Sequence, residues 1–186
     1  MKEIIKQNIQ GKKVLFFFAL ATVVYIFMLA VTIPKVMSYS GGMKLPDMLP
    51  TGYSPEYINA LLNQLGVEGR NAYLFQQIPV DMVYPLLFAI SWSLVLAWFL
   101  KKLNKQNTQV IYLCLLPVLG GLFDYLENIG MIIILSTWPA NTDTLSQFTN
   151  VFTILKSFFS TLFFISLIIV LFIFAYRSLM SKTATK

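Results

Sequence analysis

Three polar side chains, Asp124, Glu127 and Asn128, stand inside a run of Leu, Ile and Val long enough to cross a bilayer, in the stretch GGLFDYLENIG at 120–130. Each helical residue turns about 100°, which brings Pro117, Gly120, Gly121, Glu127, Asn128 and Met131 within about 60° of Asp124. The acids, the amide and the small residues therefore form one stripe. Leu115, Leu119, Leu122, Leu126, Ile129 and Ile133 form the opposite face, suited to lipid or apolar packing. Two other apolar segments carry groups that can meet the stripe. Asp81, Tyr84, Pro85, Phe88 and Trp92 share a face by the same spacing, and Lys156 and Ser160 share another, with Thr153 and Ser157 beside them. Carboxylates beside aromatic rings suit a cation, because the acids neutralise it while Trp92 or Tyr84 stacks on it. Asp81, Tyr84, Trp92, Asp124, Glu127, Asn128, Lys156 and Ser160 are the candidate ligand-binding residues, and no residue is assigned a catalytic role.

The elements that must position these groups are membrane helices. The chain is 57% apolar and 12% charged, with a mean hydropathy of +0.70, too apolar for a soluble domain of 186 residues. Apolar stretches at about 14–33, 80–100, 110–135 and 151–176 approach or exceed the roughly 20 residues that a helix needs to cross hydrocarbon. The expected fold is all-α: an integral membrane four-helix bundle forming one domain over 1–186, with an outer loop at 34–79. Near a helix centre an acid costs roughly 2.5 to 3.5 kcal/mol, and each large apolar residue returns about 0.3 to 0.6. The third span, with two acids, is therefore marginal alone. It should be an interior helix with its acids turned toward protein or water.

Orientation follows from the basic residues, which concentrate on the cytoplasmic side. Lys2, Lys6, Lys12 and Lys13 precede the first span; Lys101, Lys102 and Lys105 follow the second; Arg177, Lys182 and Lys186 follow the fourth. These are ten of the 14 basic residues, against Lys35, Lys44 and Arg70 on the other side and Lys156 within a span. The expected localisation is the cell membrane, multi-pass, with both termini cytoplasmic. The first apolar run exceeds the 7 to 15 residues of a signal peptide and lacks a convincing cleavage site, so it reads as a retained anchor. On this topology all the intramembrane charges converge in the outer half. The net charge of +6 is explained by topology and anionic headgroups, and nothing points to nucleic acid.

Cys114 is the only cysteine and there is no histidine. Intrachain disulfides, zinc sites built on His or Cys, Ser-His-Asp triads and His-ligated haem are excluded. No metal or cofactor is expected. Between the first two spans, PKVMSYSGGMKLPDMLPTGY has the Gly and Pro spacing of a loop. Ser54 then caps a short amphipathic helix with Pro55 at its first position and Tyr57, Ile58, Leu61, Leu62 and Leu65 at helical spacing before Gly66. Another short helix is expected at about 68–77. Both should lie on the membrane surface or roof the bundle. No internal repeat supports inverted-repeat transporter architecture.

The segment from Gly52 to Pro85 also carries a pattern: Gly52, Tyr53 and Ser54, then Leu65, Gly66, Gly69, Arg70 and Tyr73, then Asp81 and Pro85. It resembles a family of uncharacterised prokaryotic membrane proteins, and the resemblance implies a four-span membrane protein with no known activity. The chain is also loosely similar to the four-helix sterol isomerase and sigma-2 receptor group, which places acids in a membrane cavity. It lacks the histidine expected for the isomerase chemistry, and no residue is carried over from that group.

The leading reading is a non-enzymatic membrane protein in contact with lipids. It binds a small amphiphilic or cationic ligand, or a partner membrane helix, through a polar cavity in the outer half of the bundle. One alternative is a lipid-active enzyme in which Asp124 or Glu127 exchanges protons with substrate while Asn128 and Lys156 stabilise developing negative charge. Another is a proton-coupled transporter, which would need to oligomerise to gain room for alternating access.

Overall fold

The computed structural model describes residues 9–140 and 142–183, with side chains described up to Met180. Lys2, Lys6 and Lys186, and the side chain of Lys182, which contribute to the basic-residue count, lie outside that description. The described chain is helical without strands: α1 (Gly11–Met37), α2 (Pro55–Ala72), α3 (Tyr84–Lys102), α4 (Leu116–Thr137) and α5 (Thr142–Thr183). Four helical segments are long and apolar enough to cross a bilayer, so the protein is an all-α, multi-pass integral membrane four-helix bundle. A 3₁₀ turn, Pro46–Met48, interrupts the α1–α2 connection, and a longer one, Gln109–Leu115, leads into α4.

Two prolines explain two local departures from α geometry. Pro34 and Pro79 cannot donate to the carbonyl one turn back, and their rings crowd it. In each case a widened π turn comes just before, Met28–Thr32 within α1 and Tyr73–Gln77 after α2. The two π turns meet where the Thr32 hydroxyl donates to Gln77 Oε1, with both residues buried. A single helical turn, Ile78–Asp81, then precedes a break at 82–83. Asp81 thus lies on a separate turn ahead of α3, where the sequence suggested one continuous span from about residue 80.

The amphipathic segment forms as expected at its start. Ser54 Oγ accepts from the Tyr57 amide at 3.3 Å, Pro55 takes the first position, and Gly66 bends the helix at φ 62. It continues to Ala72 and roofs the bundle, burying Ile58, Leu61, Leu62 and Leu65 against Val36, Leu45, Met131 and Ile134. A second apolar cluster, including Ile9, Leu96, Leu100, Ile111, Phe163 and Leu167, closes the other end. There Lys101 Nζ reaches the Ile9 carbonyl at 3.5 Å and Arg177 reaches the Leu103 carbonyl at 3.4 Å, so basic residues that follow the second and fourth spans gather at the end where the chain enters α1.

α4 is the inner helix. Half of its apolar window is buried, against 11% for α1 and 17% for α5, as the cost of its acids demands. It packs against α3 and α5, while α1 lies along α3. Glycine permits the close approach: a Cβ on Gly121 would stand 2.7 Å from the Pro85 carbonyl oxygen, and one on Gly120 3.0 Å from Ser160 Oγ.

Candidate functional site

Between the two apolar clusters lies a polar layer centred on Lys156. Its side chain, 14% exposed, extends from α5 toward three carboxylates. Nζ is 2.5 Å from Asp47 Oδ1 and 3.3 Å from Asp124 Oδ1, and it forms a third ion pair with Glu127 Oε2. Glu127 Oε2 is within range of the ammonium without the alignment of a hydrogen bond, whereas its Oε1 accepts from Thr153 Oγ1 at 2.8 Å. The α4 stripe read from the sequence is the buried face: Pro117, Gly120, Gly121, Asp124, Glu127, Asn128 and Met131 are all inside.

Asp47 was not among the expected site residues. It comes from the Pro46–Met48 turn, which buried Leu45 pins to the core while the Tyr57 hydroxyl donates to the Lys44 carbonyl at 2.8 Å. Just beyond, the Tyr53 amide donates to Asn150 Oδ1 at 2.8 Å, and Tyr53 Oη lies 3.3 Å from Thr153 Oγ1. Burial pushes the Tyr53 phenol well above its ordinary pKa; Thr153 opposes this, while Glu127 and Asp47 add to it. The phenol therefore stays neutral beside the acids.

Asp81 is 3% exposed, and its Oδ2 has no hydrogen-bond partner among the described residues. One oxygen each from Asp47, Asp81 and Asp124 lies within 4.8 Å of the others. Such a spacing is compatible with a hard cation bound by oxygen ligands, although Lys156 already stands beside two of the three. Asn128 does something different from its neighbours: its Nδ2 donates to the Asp81 backbone carbonyl at 3.2 Å, tying α4 to the turn ahead of α3.

The acids open onto a cavity of about 450 Å³ between α1, α3, α4 and α5. Of the candidate residues, Asp81, Tyr84, Trp92, Asp124, Lys156 and Ser160 line it; Glu127 and Asn128 stand behind that wall. Asp47 and Met48 roof one end. At the other, Trp92 meets Phe18 and Phe164 edge-on, with centroids 5.3 and 5.4 Å away. Tyr84 stacks on Tyr25 at 5.3 Å, so the side walls are aromatic too. Ser91 Oγ, fully buried on the same wall, has no partner among the described residues.

Four carboxylates thus converge with one ammonium. If all are ionised the layer has three negative charges in excess, in a place where an unpaired charge is costly. Chemically, the arrangement can hold protons or a cation at the acid end and apolar or aromatic matter along the rest. No family model, curated protein or solved structure matches the chain.

Proposed function

We propose that this membrane protein binds a small amphiphilic cation in the cavity between α1, α3, α4 and α5. Its basic end, with both termini, would face the cytoplasm of a cell-membrane protein. A single observation carries the binding reading: three carboxylates and one lysine line the polar end of a 450 Å³ cavity, with Glu127 behind them on the same lysine, and the other walls are mostly aromatic and apolar. That volume lies within the range of small-molecule sites, and few convergent polar groups in an apolar surround are their usual form. An organic cation answers both halves of the site. Its charge offsets the excess acid, and its carbon skeleton meets the rings.

The test is native mass spectrometry of the purified protein released from nanodiscs equilibrated with dodecylamine, dodecanol or dodecyl sulfate. Dodecylamine should be retained and the other two should not. Asp124→Asn keeps the shape of the side chain and removes its charge, so it should fold while retaining at least tenfold less amine. Equal retention of all three probes would overturn the reading.

A further inference from the structure

Lys156 engages Asp47, Asp124 and Glu127, and leaves Asp81. Asp81 Oδ2 is buried, without a partner among the described residues and on the cavity wall, and from it Tyr84, Phe88, Ser91 and Trp92 continue that wall along α3. Ser91 Oγ, about two helical turns beyond Tyr84, also lacks a partner among the described residues. An ammonium on Asp81 with its chain along this stripe would satisfy the first group and lie over the rings.

The geometry of the walls indicates the way in. The Pro46–Met48 turn covers the acid end, and Trp92 with Phe18 and Phe164 covers the other. α3 and α4 pack together behind. α1 and α5 both contribute lining, yet the main packing of α1 is along α3 and that of α5 along α4. The remaining side is the gap between α1 and α5, and two of the lining residues that α1 contributes, Tyr25 and Leu29, are also exposed on the surface. Both helices turn mostly apolar side chains to their surroundings, so this gap faces lipid.

We infer that the cavity is filled sideways from the bilayer, through the α1–α5 gap, by a primary ammonium on a hydrocarbon chain that docks on Asp81. This rests on the cation reading above and adds the anchor, the ligand class and the route. At about 30 Å³ per water-sized group, 450 Å³ holds roughly fifteen non-hydrogen atoms. A longer chain must leave through the gap, and there it re-enters lipid.

The experiment compares dodecylamine with octadecylamine at equal mole fraction in phosphatidylcholine nanodiscs, read by native mass spectrometry. Octadecylamine should bind within about threefold of dodecylamine, because its surplus methylenes stay in hydrocarbon. A sealed cavity would reject it by more than tenfold. A cavity open to water would penalise each surplus methylene about fourfold. Either result overturns the lateral route. Asp81→Asn should lower dodecylamine retention at least tenfold; unchanged retention overturns the anchor while the cation reading survives. A tail-labelled photoreactive dodecylamine on the unmutated protein gives a second check that no folding defect can confuse. It should mark peptides holding Trp92 or Phe164, and marking of α2 instead would overturn the docked pose. Displacement of dodecylamine by phosphatidylethanolamine would identify an aminolipid headgroup as the source, and failure to displace would identify a free amine; both support the ammonium site. Displacement by millimolar Mg²⁺ would overturn it in favour of a divalent ion on Asp47, Asp81 and Asp124. Failure of the unmutated protein to bind any amine would take down the cation reading as well.

Discussion

Replacing Lys156 with Met removes the cation that pairs with the acids of the polar layer while keeping an unbranched side chain of similar length. Three carboxylates then lose their partner, and they are not equivalent. Asp47, with 21% of its side chain exposed, can turn to water and contributes little. Glu127 is 1% exposed and cannot. Removing one member of a buried pair costs about 3 to 5 kcal/mol, and the surviving Thr153 hydrogen bond to Glu127 argues for the lower end. For a chain of this size about 3 kcal/mol corresponds to a fall of roughly 6 to 12 °C in melting temperature. The assay is thermal unfolding in mild detergent, followed by tryptophan fluorescence. Adding Glu127→Gln to Lys156→Met should recover about 1 to 3 kcal/mol, because the amide still accepts from Thr153 and carries no charge. A single variant melting within about 1 °C of the parent, or strictly additive effects in the cycle, would refute the pairing argument.

Gly121→Ala should destabilise by about 1 to 3 kcal/mol in the same assay, since its Cβ meets the Pro85 backbone oxygen at 2.7 Å and a backbone cannot swing away. Tyr53→Phe should flatten the alkaline limb of stability. The folded phenol is raised, so the folded state holds its proton above pH 10 where the unfolded chain releases it, and the parent loses stability with rising pH there while the Phe variant loses less. Topology is checked by Ala60→Cys in a Cys114→Ala background: exposed position 60 should react with a membrane-impermeant maleimide added outside intact cells, and labelling only from inside would reverse the orientation.

The sequence makes α4 legible because helical spacing and the cost of buried charge act on the same residues. Asp124, Glu127 and Asn128 had to face inward, and Lys156 was the one basic residue in reach. The aromatic stripe of α3 follows from the same periodicity. Asp47 was hidden by its surroundings: an acid in a Pro-rich connection reads as solvated, and nothing local indicates that Leu45 and Tyr57 fold the turn onto the bundle. The break at 82–83 was hidden as well, since apolar residues continue through it. Pro34 and Pro79 mark where the helices must deform, but a proline does not specify whether the chain kinks, stops or widens into a π turn. Ser91, one hydroxyl among apolar neighbours, becomes notable only once its lack of a partner is visible.

Buried ion pairs often do no better than break even with apolar replacements, so one carboxylate opposite Lys156 would suffice to join α4 to α5. The structure gathers three around it and a fourth alongside, and each surplus acid destabilises the bundle until a proton or a cation occupies it. The two apolar clusters at either end hold the layer together meanwhile. Occupancy and stability should therefore be linked: a ligand that binds only the folded state adds about 2.7 kcal/mol at a hundred times its Kd. For this chain that corresponds to a rise of roughly 5 to 11 °C. Melting in detergent with rising dodecylamine should show it, while dodecanol, with the same chain and no charge, should show none. Asp124→Asn relieves one surplus charge in advance, so the variant should melt no lower than the parent without amine and gain less from it. A melting curve indifferent to dodecylamine, or a shift equal for amine and alcohol, would mean that the surplus charge is already neutralised by protons and that the layer serves only to join the helices.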